Sequence, residues 1–286
     1  MKGHKKKTHP SDAVFSYESP LEHGRVYLTT DLKSYAAATI NKDKLEEALK
    51  SLSISAECAN QSEEWQQLYA DPESNHRVYG MLFIYNHDSD YDKNFPMLLA
   101  LVKQNLVKVK ANYRLFVFGP PEITYLYNVA NDILRKRGAH ELPSAKHCKF
   151  YHPDLVRARV TSNTLKAATA EMLLSPWQVL EYEPTELTNN QRGYVVYYRE
   201  PAAAVDELKF LIDYLFRYQL VADSVRIEIR APFADSKASA YFATAKEQYA
   251  KEYFNFPEFE KRLEQITFSS IPTVLSQFST TQLGMD

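Results

Sequence analysis

Ser11 to Tyr35 (SDAVFSYESPLEHGRVYLTTDLKSY) decides how the first part of this chain folds. Two short runs rich in β-branched and aromatic residues, Ala13–Tyr17 and Arg25–Thr30, flank a stretch that contains proline and glycine. Such runs are typical of strands, and the stretch between them has turn chemistry, so the sequence predicts a β-hairpin. Asp12 stands at the head of the first strand, and the triplet DLK at residues 31–33 closes the second.

The hairpin predicts a cluster of charged side chains. In an antiparallel pair the start of one strand lies beside the end of the other, so we expect Asp12 next to Asp31. Lys33 follows Asp31 by two residues and therefore points to the same face. Two carboxylates can hold Mg²⁺, and a lysine beside them can position or deprotonate a bound water and stabilise a negative transition state. Phosphodiester hydrolysis needs this combination.

The same residues resemble a known motif. Pro10-Ser11-Asp12, a gap of 18 residues and then Asp31-Leu32-Lys33 is similar to the PD-(D/E)xK nuclease superfamily. The sequence around the motif, together with Tyr85–Asp88, is also similar to the nuclease subunit of two-gene anti-phage defence systems carried by phage satellites. The resemblance implies a Mg²⁺-dependent endodeoxyribonuclease, with Mn²⁺ as an alternative metal, that hydrolyses DNA as the effector of a defence complex.

The resemblance also assigns roles to individual residues. It implies that Asp12 and Asp31 are metal ligands, that the backbone carbonyl of Leu32 is a further ligand, and that Lys33 is the catalytic lysine. It implies a second protein subunit as partner, and self-association is an alternative.

One departure from the family pattern concerns a glutamate. The family core usually opens with a helix that carries this residue before the first aspartate, whereas only 11 residues precede Asp12 here and none of them is a glutamate. The helix could be missing from this gene product, the site could function without it, or Glu18 or Glu22 could replace it. We favour a minimal site and leave the glutamate open.

Composition excludes several other classes. The 286 residues include only 7 glycines, and none forms a phosphate-binding loop, which argues against a nucleotide cofactor. No apolar run is long enough for a membrane span, and the basic start lacks the apolar segment of a secretory signal. Cys58 and Cys148 lie far apart without a C-x-x-C motif, so we expect a reducing cytoplasm and no zinc site.

Charge is unevenly distributed along the chain. Residues 103–166 carry 12 Lys and Arg against 4 Asp and Glu, although the formal net charge of the whole chain is −2. A segment this basic is typical of a phosphate-binding face, unless its charges scatter over several faces. Two basic clusters could contact the DNA backbone, namely Lys5, Lys6 and Lys7, and Arg135, Lys136 and Arg137. For the lysine cluster the alternative is a solvated tail. For the second cluster the alternative is that its charges complement a helix dipole.

The remaining pattern alternates strands and helices. It predicts an α/β fold with an α/β C-terminal extension. The resemblance implies that the first part is a restriction-endonuclease-like mixed sheet flanked by helices. We place the nuclease-like core at residues 1–155 and a partner-binding α/β region at 156–286. Asn41 is predicted to cap a helix that runs through Lys50 or beyond, and Phe256–Thr267 is also predicted to be helical. Asn86 and His87 follow a central strand, and a hydrogen-bonded loop is favoured there over a role in the site.

A second function remains open. The chain could be a non-catalytic DNA- or protein-binding subunit with a decayed nuclease site, because the helix glutamate is not found. A purely structural assembly protein is a weaker alternative, and it predicts no salt-sensitive DNA binding.

Overall fold

The computed structural model describes residues 11–20, 24–71, 75–105, 114–153, 164–253 and 257–273. The chain divides between Thr124 and Tyr125 into two compact units. Each unit contains a mixed β-sheet with flanking helices, so the α/β class predicted from the sequence is confirmed.

The sheet of the first unit has four strands in the order β1-β2-β3-β4. They are β1 (Ala13–Glu18), β2 (Arg25–Tyr35), β3 (His76–Asn86) and β4 (Leu115–Phe118). The first two form the expected antiparallel hairpin, while β3 runs parallel to both β2 and β4. β3 is apolar over most of its length because it lies in the middle of the sheet.

Among the described residues, three α-helices lie wholly within this unit, namely α1 (Lys42–Gln61), α2 (Glu63–Tyr69) and α3 (Phe95–Asn105). Asn41 caps α1 as predicted, since its side chain accepts a 3.1 Å hydrogen bond from the backbone N–H of Lys44. The apolar stripe of α1 packs on one face of the sheet. This core contains Leu45, Leu49 and Leu52 of the helix and Leu82 and Ile84 of β3.

The second unit contains a six-stranded sheet in the order β10-β9-β8-β7-β5-β6. Its strands are β5 (Cys148–Tyr151), β6 (Thr164–Leu165), β7 (Trp177–Tyr182), β8 (Gly193–Tyr198), β9 (Arg226–Ala231) and β10 (Ile266–Ser270). The helices are α4 (Pro120–Gly138), which spans the division, α5 (Ala170–Leu173), α6 (Val205–Arg217), α7 (Ala238–Tyr253) and α8 (Pro257–Glu264). Among helices in the described ranges, none combines the length and apolar character that crossing a membrane requires.

The core boundary at residue 155 stays a prediction. The chain divides into its two compact units at residue 124, and β5 pairs with β7 and β6 in the second sheet. One expectation needs correction. The helix predicted over Phe256–Thr267 ends at Glu264, and β10 follows because Ile266–Ser270 pairs in parallel with β9. Phe242 and Tyr249, aromatic residues of the region predicted to bind a partner, are buried in the core of the second unit.

Candidate active site

Asp12 lies where the hairpin ladder stops. The last ladder pair is Ala13 with Thr30, and the backbone N–H of Asp12 also donates to the Thr30 carbonyl, at 3.0 Å. Asp12 and Ala13 therefore both pair with Thr30 of β2. The chain leaves the regular register at this point, so the ladder alone does not set the direction of the Asp12 side chain.

The Asp12 carboxylate is fixed by a contact across the hairpin. Its Oδ2 atom accepts a 2.8 Å hydrogen bond from the backbone N–H of Leu32. The N–H and C=O of one strand residue point to the same side of the strand. The Leu32 carbonyl therefore also points toward the side of β2 on which Asp12 lies, past the end of the ladder.

Asp31 and Lys33 form an ion pair on one face of β2. The Nζ atom of Lys33 lies 2.7 Å from Oδ1 of Asp31. Partial burial on its own lowers the pKa of the lysine, but the hydrogen bond and the charge of Asp31 outweigh it, with smaller contributions from Tyr35 and Asp12. The net pKa of Lys33 is raised, so this side chain is a cation at neutral pH, and both aspartates lie within its electrostatic field.

The apolar core holds this charged pair in place from one side. In the parallel register, Asp31 lies beside Leu82 and Lys33 beside Ile84, so all four side chains occupy one sheet face. Leu82 and Ile84 are fully buried under α1. The charged groups consequently stand at the border between a packed core and solvent.

Comparison with known protein families finds one match. Residues 1–122 match the family model described as the GAPS4 protein PD-(D/E)XK nuclease domain. This segment is therefore similar to a PD-(D/E)XK nuclease domain. Its mixed sheet with flanking helices is consistent with the restriction-endonuclease-like fold predicted from the sequence. No curated protein and no solved structure matches the chain.

PD-(D/E)XK nucleases usually use divalent metal ions, which require a group of donor atoms at the site. Within the described ranges, no three His, Cys, Asp or Glu side chains come together as a metal-binding group. Two carboxylates and one carbonyl remain, and all are oxygen donors. Mg²⁺ is commonly bound by one or two carboxylates and keeps several of its waters. The oxygen donors present therefore fit a divalent ion such as Mg²⁺, which Asp12, Asp31 and the Leu32 carbonyl would hold.

Glu18 does not supply the glutamate of the family pattern. Glu18 lies at the far end of β1 and pairs with Arg25 at 3.7 Å. Glu18 follows Asp12 by six positions, about 20 Å along a strand, so it is too distant to complete the site. Glu22 lies outside the described residues.

Helix α1 places charged side chains near the site that sequence reasoning missed. Glu47 pairs with Lys44 at 2.8 Å, and the pKa of Glu47 is lowered first by Lys44 and to a smaller extent by Lys33. Chain topology could have predicted the position of these charges. A helix that follows β2 and returns to a parallel β3 must begin at the edge where β2 ends.

The loop after β3 is the hydrogen-bonded structure that the sequence favoured. The side-chain amide of Asn86 and the backbone N–H of His87 both donate to the Tyr35 carbonyl, at 3.1 Å. Both carboxylate oxygens of Asp88 accept from the N–H of Ala37 at 2.9 Å. These bonds fasten the end of β2, and thereby stabilise the strand that carries Asp31 and Lys33.

The basic residues outside the motif that were predicted to contact DNA differ in how accessible they are. Lys5, Lys6 and Lys7 lie outside the described residues. Lys136 is only 4% exposed and binds Glu228 at 2.8 Å and Glu141 at 3.2 Å, so it is not available to a DNA backbone. The prediction for Lys136 is therefore corrected.

The neighbours of Lys136 are more accessible but already have partners. Arg135 is partly exposed and pairs with Asp132 at 3.1 Å, and the Nε of Arg137 donates to the Pro143 carbonyl at 3.3 Å. The acids that pair with this basic run are Asp132, which is buried in the same helix, and Glu228, which is distant in the sequence. The basic run alone therefore could not predict these ion pairs. For Arg135 and Arg137, DNA contact stays a prediction.

Proposed function

We propose that this protein is a Mg²⁺-dependent DNA endonuclease that hydrolyses phosphodiester bonds. The observation that carries the proposal is the pairing of Lys33 with Asp31 at 2.7 Å, with Asp12 held beside them by the Leu32 N–H. The family match of residues 1–122 supports a nuclease role for this segment. Asp12, Asp31 and Lys33 are the catalytic residues in this proposal.

Asp12, Asp31 and the Leu32 carbonyl would hold the metal ion. A bound Mg²⁺ would supply a water of lowered pKa and would offset charge on a phosphoryl oxygen. Lys33 is positively charged, so it orients the attacking water and donates hydrogen bonds to the phosphoryl oxygen as negative charge develops there. A neutral lysine acting as a base is less favoured because the pKa of Lys33 is raised.

The family match also supports a biological role. The likeness to the nuclease domain of the GAPS4 protein supports an effector role in anti-phage defence, acting on DNA in the cytoplasm together with a second protein subunit. We place the partner contact in residues 156–286, which lie outside the matched segment. Self-association is the alternative. Binding to DNA should weaken steeply with salt if the basic residues of the chain contact phosphates.

A non-catalytic subunit with a decayed site is the second candidate. It is favoured by the lack of a third metal-binding carboxylate at the site among the described residues. Calorimetric titration with Mg²⁺ separates the two functions, because a decayed site predicts no metal binding that depends on Asp12 or Asp31.

The test is cleavage of plasmid DNA by the full chain, with its natural partner and Mg²⁺ present. Asp31→Asn and Lys33→Ala should each abolish most of the cutting. Asp92→Asn and Lys93→Ala change exposed residues by the same charge and should leave it intact. Undiminished cutting by both site variants would reject the proposal.

A further inference from the structure

A hydroxyl pair lies directly beside the candidate metal ligands. The Oγ of Ser11 and the Oγ1 of Thr29 are 2.5 Å apart and share a hydrogen bond. Ser11 immediately precedes Asp12, and Thr29 lies two residues before Asp31 on the same face of β2. The bond therefore joins the segment that carries one acid to the strand that carries the other.

The position of Asp12 depends on contacts of this kind because the hairpin ladder has ended there. Among the described residues, the segment is tied to β2 by its backbone bond to Thr30 and by two interactions that involve side chains. One is the acceptance of the Leu32 N–H by the Asp12 carboxylate, and the other is the Ser11–Thr29 bond. Loss of either would allow the chain before Ala13 to rotate, and the carboxylate would turn with it.

The chemistry of Thr29 is unusual for a purely structural position. Thr29 is 1% exposed, and a buried hydroxyl costs free energy unless it is hydrogen-bonded. Valine has nearly the same shape, prefers strands and already occupies position 26 of β2. A threonine here is explained if its hydroxyl is needed, and within the described residues Ser11 is the group it binds.

We infer that Ser11 and Thr29 are positioning residues, which orient the Asp12 carboxylate for a divalent cation through their shared hydrogen bond. This inference rests on the proposed function. Neither hydroxyl is assigned to the metal itself. Both act through Asp12.

Thr30 provides a matched control on the same strand. Its side chain is also buried, but its Oγ1 donates only to the Leu28 carbonyl of its own strand, at 3.3 Å. Thr29→Val and Thr30→Val make the same chemical change at neighbouring buried positions. Thr29→Ser restores the hydroxyl and is the conservative rescue.

Two measurements on the full chain test the inference. The first is Mg²⁺ affinity by calorimetry without DNA. Thr29→Val and Ser11→Ala should each weaken binding about 10-fold or more, as is common for groups that orient a metal ligand. The double variant should be no weaker than the single ones, while Thr30→Val and Thr29→Ser should stay close to the wild type.

The second measurement is hydrogen exchange at the Leu32 amide, which needs no metal. Thr29→Val should accelerate exchange because the Asp12 acceptor loses its fixed direction, and Thr30→Val should not. If wild-type protein binds no Mg²⁺, the proposed function fails while the exchange result still decides the positioning role. Wild-type exchange at Leu32 in Thr29→Val, with Thr30→Val equally unaffected, would overturn the inference.

Discussion

Lys33 and Asp31 pair at 2.7 Å on one face of β2, so each of them neutralises the other before any metal ion arrives. A cation that binds Asp31 must compete with the ammonium group for the same carboxylate. The lysine therefore has two opposite effects. It opposes metal binding in the resting protein and, as a cation beside the reacting phosphate, it favours the chemical step.

Removal of Lys33 should separate these two effects. We expect Lys33→Ala to lower the turnover number by about 100-fold or more, the usual loss when one charge-stabilising donor is deleted. The Mg²⁺ affinity should be unchanged or tighter, since Asp31 loses its competitor. Single-turnover cleavage and calorimetry measure the two quantities. A parallel loss of affinity and turnover would mean that Lys33 supports the fold of the site instead.

The pH profile should report the charge state of Lys33. Asp31 raises the pKa of the lysine above its ordinary value, so the protonated form is retained throughout the neutral range. We expect the ratio of wild-type to Lys33→Ala activity to stay flat between about pH 6 and about pH 9. If Lys33 acted as a neutral base, this ratio would instead rise about tenfold for each pH unit.

Prediction from sequence was most successful where the determinants are local. The hairpin, the Asn41 cap and the shared face of Asp31 and Lys33 follow from alternation and short-range chemistry, and the structure contains all three. The bond between Ser11 and Thr29 could not be foreseen, because it forms where the ladder breaks and alternation no longer applies.

Long-range pairing explains most of what was missed. Ile266–Ser270 forms a strand only because β9 lies beside it, although an amphipathic pattern precedes it. Lys136 looked like a surface cation in a basic run, but Glu228, 92 residues away, buries it in an ion pair. Local sequence carries no information about such partners.

A charged network inside the second unit should be important for stability. Asp132 is 2% exposed and is bound by the guanidinium group of Arg230, by Arg135 at 3.1 Å and by the hydroxyl of Tyr197 at 3.2 Å. Asp132→Ala should lower the free energy of unfolding by about 3–5 kcal/mol, because a buried cation loses its partner.

Urea titration measures this loss. Asp206→Ala, at an exposed site on α6, is the control and should change stability by less than about 1 kcal/mol. An equally small change in the stability of Asp132→Ala would show that Glu228 and Ser269 are sufficient hydrogen-bond partners for the guanidinium group of Arg230.

Acid should destabilise the protein through His152. Burial lowers the pKa of this histidine to about 4, below its ordinary 6.5, so between these values the unfolded chain binds a proton that the folded chain does not. The free energy of unfolding should therefore fall as the pH decreases through that window, by at most about 3 kcal/mol from this residue.

His152→Gln removes this titration and should show a shallower acid dependence in urea titrations at several pH values. His140→Asn changes an exposed histidine whose positive φ of 56° asparagine tolerates, and it should retain the wild-type slope. Identical slopes for wild type and His152→Gln would refute the prediction.

The most direct test of the central claim is a crystal of the full chain soaked with Mn²⁺ and measured for anomalous scattering. The account predicts a peak within about 2.0–2.3 Å of the carboxylates of Asp12 and Asp31, with the Leu32 carbonyl as a further ligand and Lys33 nearby. A peak elsewhere, or none between these two aspartates at saturating Mn²⁺, would contradict it.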